Sequence, residues 1–283
     1  MLTTFRLGGR FRANMRALAS ATTVAGALVV AMAGCGTTAY AQQPGSTRLS
    51  DAKPGEVRLF VAGSLRVPVL AVMDRLEAVT GRKIVFESSE SRNLEKEIEA
   101  GQPFEAALLI SSVVDELVAK GKIVAASEMR IGTVGVGVAV RGDAPKLDVS
   151  TAQGLKRAIE GAHGIRRFYG VAASVPVLEN LFTKLGVVES TQDKMIKLGG
   201  AEAVPEAPLP PGQYELIINL ISAAKPMKGW RYLGPIPEEF QMPLDHSAGL
   251  GVSGDLALGQ LVLSVIKGPE FKAALVADGL VPD

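Results

Sequence analysis

Hydroxyls placed just behind apolar runs are the residues of this chain with the clearest chemical potential. Ser64 follows the β-branched run Val57 to Ala62, the length of a buried strand. It precedes Pro68 and a helical spacing of Val69, Val72, Met73, Leu76 and Val79, which Gly81 closes. Ser91 sits in a second turn of this kind, Ser88-Ser89-Glu90-Ser91-Arg92, and Ser174 in a third, Ala173-Ser174-Val175-Pro176. A hydroxyl at a strand-to-helix turn has two uses. It caps the helix, or it joins the free N–H groups and the positive end of the dipole in holding an anion. Arg66 and Arg92 stand beside two of these turns. Facing inward they would add charge; facing outward they are solvated surface groups.

Other chemistries find less support. Asp245-His246 has the types for acid–base work, but no serine or cysteine can be placed as their nucleophile, and the pair reads as loop. Ser264-Val265-Ile266-Lys267 matches an S-x-x-K pattern on a late amphipathic helix without the companion motifs of that chemistry. Neither a G-x-S-x-G turn nor a P-loop occurs. With two histidines and one cysteine, a zinc cage is disfavoured and an internal disulfide impossible, so no metal or cofactor is expected. A net charge of +1 gives no electrostatic footprint for nucleic acid.

The elements that must position these hydroxyls alternate along the chain. Strands are expected at Lys83–Glu87 and Ala106–Ile110, with helices at Asn93–Ala100 and Val113–Lys120. A Gly-interrupted β run covers Ile131–Val140, a helix Leu155–Glu160 and a strand Phe168–Ala172. A helix Val177–Leu185, strands at Leu216–Leu220, Trp230–Leu233 and Ala248–Val252, and helices Leu256–Ile266 and Phe271–Ala277 complete the pattern. Strands separated by helices predict parallel pairing, with ligands at the carboxyl ends of the strands. Ser64 and Ser91 both fall there. Two such α/β sets predict two lobes facing across a cleft.

The N-terminus reads as an export signal. Arg6, Arg10, Arg12 and Arg16 precede an uncharged stretch from Ala17 to Thr47, with an apolar part at Val24–Ala33 and a small-x-small Ala39-Tyr40-Ala41. Cleavage after Ala41 is expected, placing the protein in the periplasm. Met32-Ala33-Gly34-Cys35 also resembles a lipobox, which would anchor Cys35 to lipid instead. Residues 42–55, polar with two prolines, read as a tether.

Val61-Ala62-Gly63-Ser64-Leu65, Ser91-Arg92-Asn93-Leu94 leading to Ile98-Glu99-Ala100-Gly101, and Val175-Pro176 before Lys184-Leu185-Gly186 resemble the bacterial periplasmic molybdate-binding proteins. The likeness continues to Lys267-Gly268-Pro269-Glu270. It implies a two-lobed α/β binding-protein fold with lobe 1 over 56–136 and 235–283 and lobe 2 over 137–234. It also implies a non-enzymatic, monomeric receptor that holds an oxyanion by hydroxyls and N–H groups and delivers it to the permease of an ABC importer. Ser64 and Ser91 match the family's two serines, the Val177 N–H its backbone contact, and Asn219 the place of its tyrosine. Arg92 stands where those proteins carry a small residue. The implied ligand is molybdate or tungstate; the alternatives are a receptor for a small organic acid or another anion, and a periplasmic enzyme or a ligand sensor on the same scaffold.

Overall fold

A computed structural model describes residues 46–167, 174–198 and 206–283. The expected export segment with Cys35, the strand expected at Phe168–Ala172 and the side chain of Ser174 lie outside the described residues.

Strand β1 (Val57–Ala62) is apolar almost throughout because both its faces are covered. Leu59 and Val61 pack with Leu76, Leu263 and Phe271, while Phe60 turns the other way onto Leu94, Val113 and Phe104. The single helix expected after it is two, α1 (Arg66–Ala71) and α2 (Met73–Thr80), because the Val72 N–H turns back to the Val69 carbonyl. Gly81 ends α2 in the left-handed conformation, with φ of 62°. There follow β2 (Ile84–Ser89), α3 (Ser91–Glu99), β3 (Ala106–Ile110), α4 (Ser111–Ala119) and β4 (Met129–Val134). A second set comprises β5 (Val136–Gly142), α5 (Ala152–Gly161), β6 (Gly164–Arg167), α6 (Ser174–Leu185), α7 (Val188–Thr191) and β7 (Met195–Lys197). It ends with β8 (Tyr214–Leu220), α8 (Ile221–Ala224) and β9 (Arg231–Pro235). The chain then returns through β10 (Leu244–Leu250), α9 (Leu256–Ile266), α10 (Pro269–Ala277) and β11 (Leu280–Pro282).

These strands form two sheets, each with its own core: β11-β4-β10-β3-β1-β2 and β7-β6-β8-β5-β9. The expected two-lobed α/β architecture is present. Both sheets are mixed, since β10 runs antiparallel to β3 and β4, and β5 to β8 and β9. Topology supplies the reason. β4 ends at the carboxyl edge of the first sheet, and after Gly135 β5 starts at the carboxyl edge of the second. The return from β9 to β10 joins the same two edges. A strand that enters a sheet from its carboxyl edge must run against its neighbours there. Both crossings therefore join the carboxyl edges of the two sheets.

The crossings are tied by Gln241. Its Oε1 accepts the Val136 N–H at 2.8 Å, and its Nε2 donates to the carbonyls of Val136 and Ile236. Near the start of the described chain, residues 46–51 are not a free tether. Thr47 N–H bonds the Phe86 carbonyl, Ser46 accepts from the Ser88 N–H, and Leu49 is buried. Leu49 and these hydrogen bonds together dock the segment against β2.

Candidate functional site

Pairing register places a row of polar groups at the carboxyl edge of the first sheet. Ser64 lies in a 3-10 turn, Gly63–Leu65, directly after β1. Ser91 opens α3 behind β2, and Ser111 opens α4 behind β3. β10 begins at this edge, with His246 opposite Ile110 and Ser247 opposite Leu109. Three hydrogen bonds organise the row. Ser64 Oγ lies 2.7 Å from His246 Nε2, Ser91 Oγ accepts the Ile110 N–H at 3.1 Å, and the Ser111 and Ser247 hydroxyls are 2.8 Å apart. Helices α3 and α4 point their N-termini at the same edge, which favours negative charge there.

His246 and Asp245 are strand residues rather than loop residues, and a serine does meet the histidine. Three consecutive polar residues, Asp245-His246-Ser247, hide the start of β10, which begins four positions before the run expected from Ala248. The imidazole is wholly buried, and burial pushes its pKa down to about 4 against smaller opposing effects of nearby backbone and Asp245. The ring is therefore neutral at pH 7. Asp245 bonds Thr133 Oγ1 and pairs with Arg130, and these bonds hold its carboxyl below its usual range.

Arg92 does not face this row. Its Nη1 and Nη2 fork onto Glu116 at 2.7 and 2.8 Å, and Nη1 also reaches Glu95 at 2.9 Å. Lys120 continues the network to Glu95 and Glu99, tying α3 to α4 on a partly exposed face. An i,i+3 spacing on α3 and the parallel run of α4 decide this direction, and neither is visible in the turn itself. Arg92→Ala is expected to leave anion affinity within about twofold by titration calorimetry. An exposed network of this kind contributes little to stability.

At the second sheet, the Val177 side chain is packed in the core and its backbone lies in the first turns of α6 behind Pro176. Asn219 is buried near the end of β8, opposite Gly137, and its Oδ1 accepts the Leu220 N–H at 2.8 Å. Tyr232 of β9 covers Gly137. A Cβ there would lie 2.7 Å from its Oη, so only glycine admits the ring. Burial raises the Tyr232 pKa, leaving a neutral phenol two strands from Asn219. Ser222, in α8, has a buried hydroxyl with no hydrogen-bond partner among the described residues. This short helix reaches the first lobe: Ile221 N–H bonds the Gly135 carbonyl, and Ile221 packs on the first core.

A family model described as bacterial extracellular solute-binding protein matches residues 57–281. The chain belongs to that family. This solute-binding protein is 24% identical over 248 residues to an aconitate isomerase from Pseudomonas sp, covering 84% of this chain and 92% of that one. Its fold is similar to the periplasmic molybdate-binding protein of Azotobacter vinelandii, with a TM-score of 0.59, 19% identity, and coverage of 80% and 98% of the two chains. The sulfate-binding protein SubI of Mycobacterium tuberculosis is similar with a TM-score of 0.56 and 12% identity, covering 80% and 86%. No described helix of the solute-binding protein is long and apolar enough to cross a membrane.

Proposed function

We propose that this chain is an exported receptor that closes its two lobes on a small anion beside Ser64 and Ser91 and hands it to the permease of an ABC importer. The observation that carries this reading is the row of hydroxyls at the carboxyl edge of β1, β2 and β3, where both crossings meet. Donors from the second lobe would come from the N–H groups around Val177 and from Asn219. Ligand contacts from both lobes favour the closed state, and the paired crossings held by Gln241 are the hinge.

The ligand class is a small organic acid ahead of molybdate or tungstate. Asn219 leaves more room than tyrosine, an imidazole adjoins Ser64, and the sequence relative is named for aconitate. Thermal-shift and calorimetric screening of the mature protein against di- and tricarboxylates, molybdate, tungstate, sulfate and phosphate tests this. A carboxylate should bind best, and Ser64→Ala should weaken it roughly ten- to a hundredfold, about 1.5–3 kcal/mol for one hydrogen bond to a charged group. Binding of a neutral sugar or a cation, and of no anion, would sink the reading.

A second reading is an isomerase on the same scaffold, favoured by the contact between Ser64 and His246 and by the name of that relative. Ultraviolet or NMR monitoring of the two aconitate isomers with the protein decides it. Interconversion that Ser64→Ala abolishes makes the chain an enzyme, and tight binding without turnover leaves it a receptor.

A further inference from the structure

Tyr232 brings a hydroxyl towards the carboxyl end of β8 from two strands away. Its backbone stands opposite Ala139 of β5, yet its Oη lies 2.7 Å and its Cε2 2.8 Å from where a Gly137 Cβ would be. The side chain therefore leans along the sheet from Ala139 to Gly137, towards Val136, where β5 begins. Gly137 is in turn directly opposite Asn219. Residues opposed in this way project from one face of a sheet, with Cβ positions about 4.5–5.5 Å apart. Packing agrees, since Tyr232 lies with Ala139 and Ile217, which flank Gly137 and Asn219 on that face. The phenol and the Asn219 side chain are thus neighbours, although they come from different strands.

Both groups are set to donate. Asn219 Oδ1 already accepts the Leu220 N–H at 2.8 Å, which leaves the amide hydrogens for another partner. Tyr232 is half-buried, and burial raises its pKa with no charged group contributing, so it is a neutral phenol at pH 7. Tyr214 differs, because its hydroxyl donates to the Ala158 carbonyl. From Asn219 the chain runs through Leu220 into α8, and α8 packs on the Gly63–Leu65 turn that carries Ser64. One short helix therefore separates the donor pair from Ser64. We infer that Tyr232 is a ligand-contacting residue that, with Asn219, holds the two oxygens of one carboxylate, the ligand being a di- or tricarboxylate with another carboxylate at Ser64. This rests on the proposed receptor role of the Ser64 edge and names the substrate class of that site.

Calorimetry of the mature protein with trans-aconitate, and with sulfate as a probe that has no second anionic group, tests this. Tyr232→Phe keeps the ring over Gly137 and removes only the hydroxyl. It should weaken trans-aconitate about ten- to a hundredfold, the effect of one hydrogen bond to a charged group, while the thermal midpoint without ligand stays at the parent value. Any sulfate affinity of the parent should be unchanged. In the parent, the Cζ carbon signal of Tyr232 in NMR should shift on saturation with trans-aconitate, and that of Tyr214 should not. Phenylalanine changes at the other tyrosines assign this signal, so the readout stands even where Tyr232→Phe fails to fold. Unchanged trans-aconitate affinity in Tyr232→Phe, or an unmoved Tyr232 signal, overturns the inference and leaves the receptor reading intact. So does a parent that binds sulfate or molybdate and no carboxylate. A parent that binds no anion of the screen overturns both.

Discussion

Replacing Asp278 by asparagine will raise the stability of the protein at pH 8 by about 2–4 kcal/mol and change it little at pH 4. Asp278 follows α10 and is only 7% exposed. Burial raises its pKa to about 7, against the pull of Lys225 and Arg66. An acid whose folded pKa is raised binds more protons folded than unfolded between its two pKa values. Stability therefore falls as pH climbs from about 4 to about 7 and stays reduced above that. Three units correspond to roughly 4 kcal/mol as an upper figure, at 1.36 kcal/mol per unit. Asparagine keeps the shape and never charges, so it escapes the loss. His246 acts in the opposite sense. Its folded pKa lies below the unfolded one, so stability rises with pH between about 4 and 6.5. In the parent these two slopes oppose each other, and Asp278→Asn removes the falling one. Thermal melts of both forms from pH 4 to 8 check this. An equal shift in midpoint at pH 4 and pH 8 would show that Asp278 carries no folded-state penalty.

The second large effect belongs to Glu215 in the second lobe. One of its oxygens, Oε2, accepts from Arg166 Nε at 2.5 Å and from Arg141 Nε at 2.8 Å. Arg166 is 2% exposed, and the Arg141 guanidinium also stacks 5.7 Å over Trp230. Burial works against the Glu215 charge, but the bonds from Arg166 and Arg141 outweigh it and hold the carboxyl below its usual range. Glu215→Ala takes away the carboxylate that two desolvated guanidinium groups share. Breaking a buried pair in this way typically costs about 3–5 kcal/mol, most of it the penalty on the charge left behind. Urea unfolding should show that loss, with a smaller loss for Glu215→Gln. A change under about 1 kcal/mol for the alanine variant would mean that the cluster is solvated in the folded state. Because β5, β6 and β8 carry this cluster, Glu215→Ala should also loosen the second sheet around Asn219.

The local signals of this chain were legible without any structure. The apolar runs of β1, β3 and β8, the helices stopped by Gly81 and Gly186, and the serine turns after β1 and β2 all depend on residues a few positions apart. Partnership across distance was another matter. Ser64 and His246 are 182 positions apart, and nothing near either residue tells of the other. Asp245-His246-Ser247 read as loop because polar residues in succession lack strand periodicity. They form a strand because β3 and β4 supply backbone partners on both sides. Arg92 lies beside the Ser91 turn in sequence and yet forks onto Glu116 of the neighbouring helix. Sequence periodicity determines which segments become strands and helices and which hydroxyls stand at their ends. Which of those hydroxyls is polarised, by what neighbour and towards which face, is decided only when the sheet is assembled, because hydrogen bonds and ion pairs form between groups that tertiary packing brings within about 3 Å.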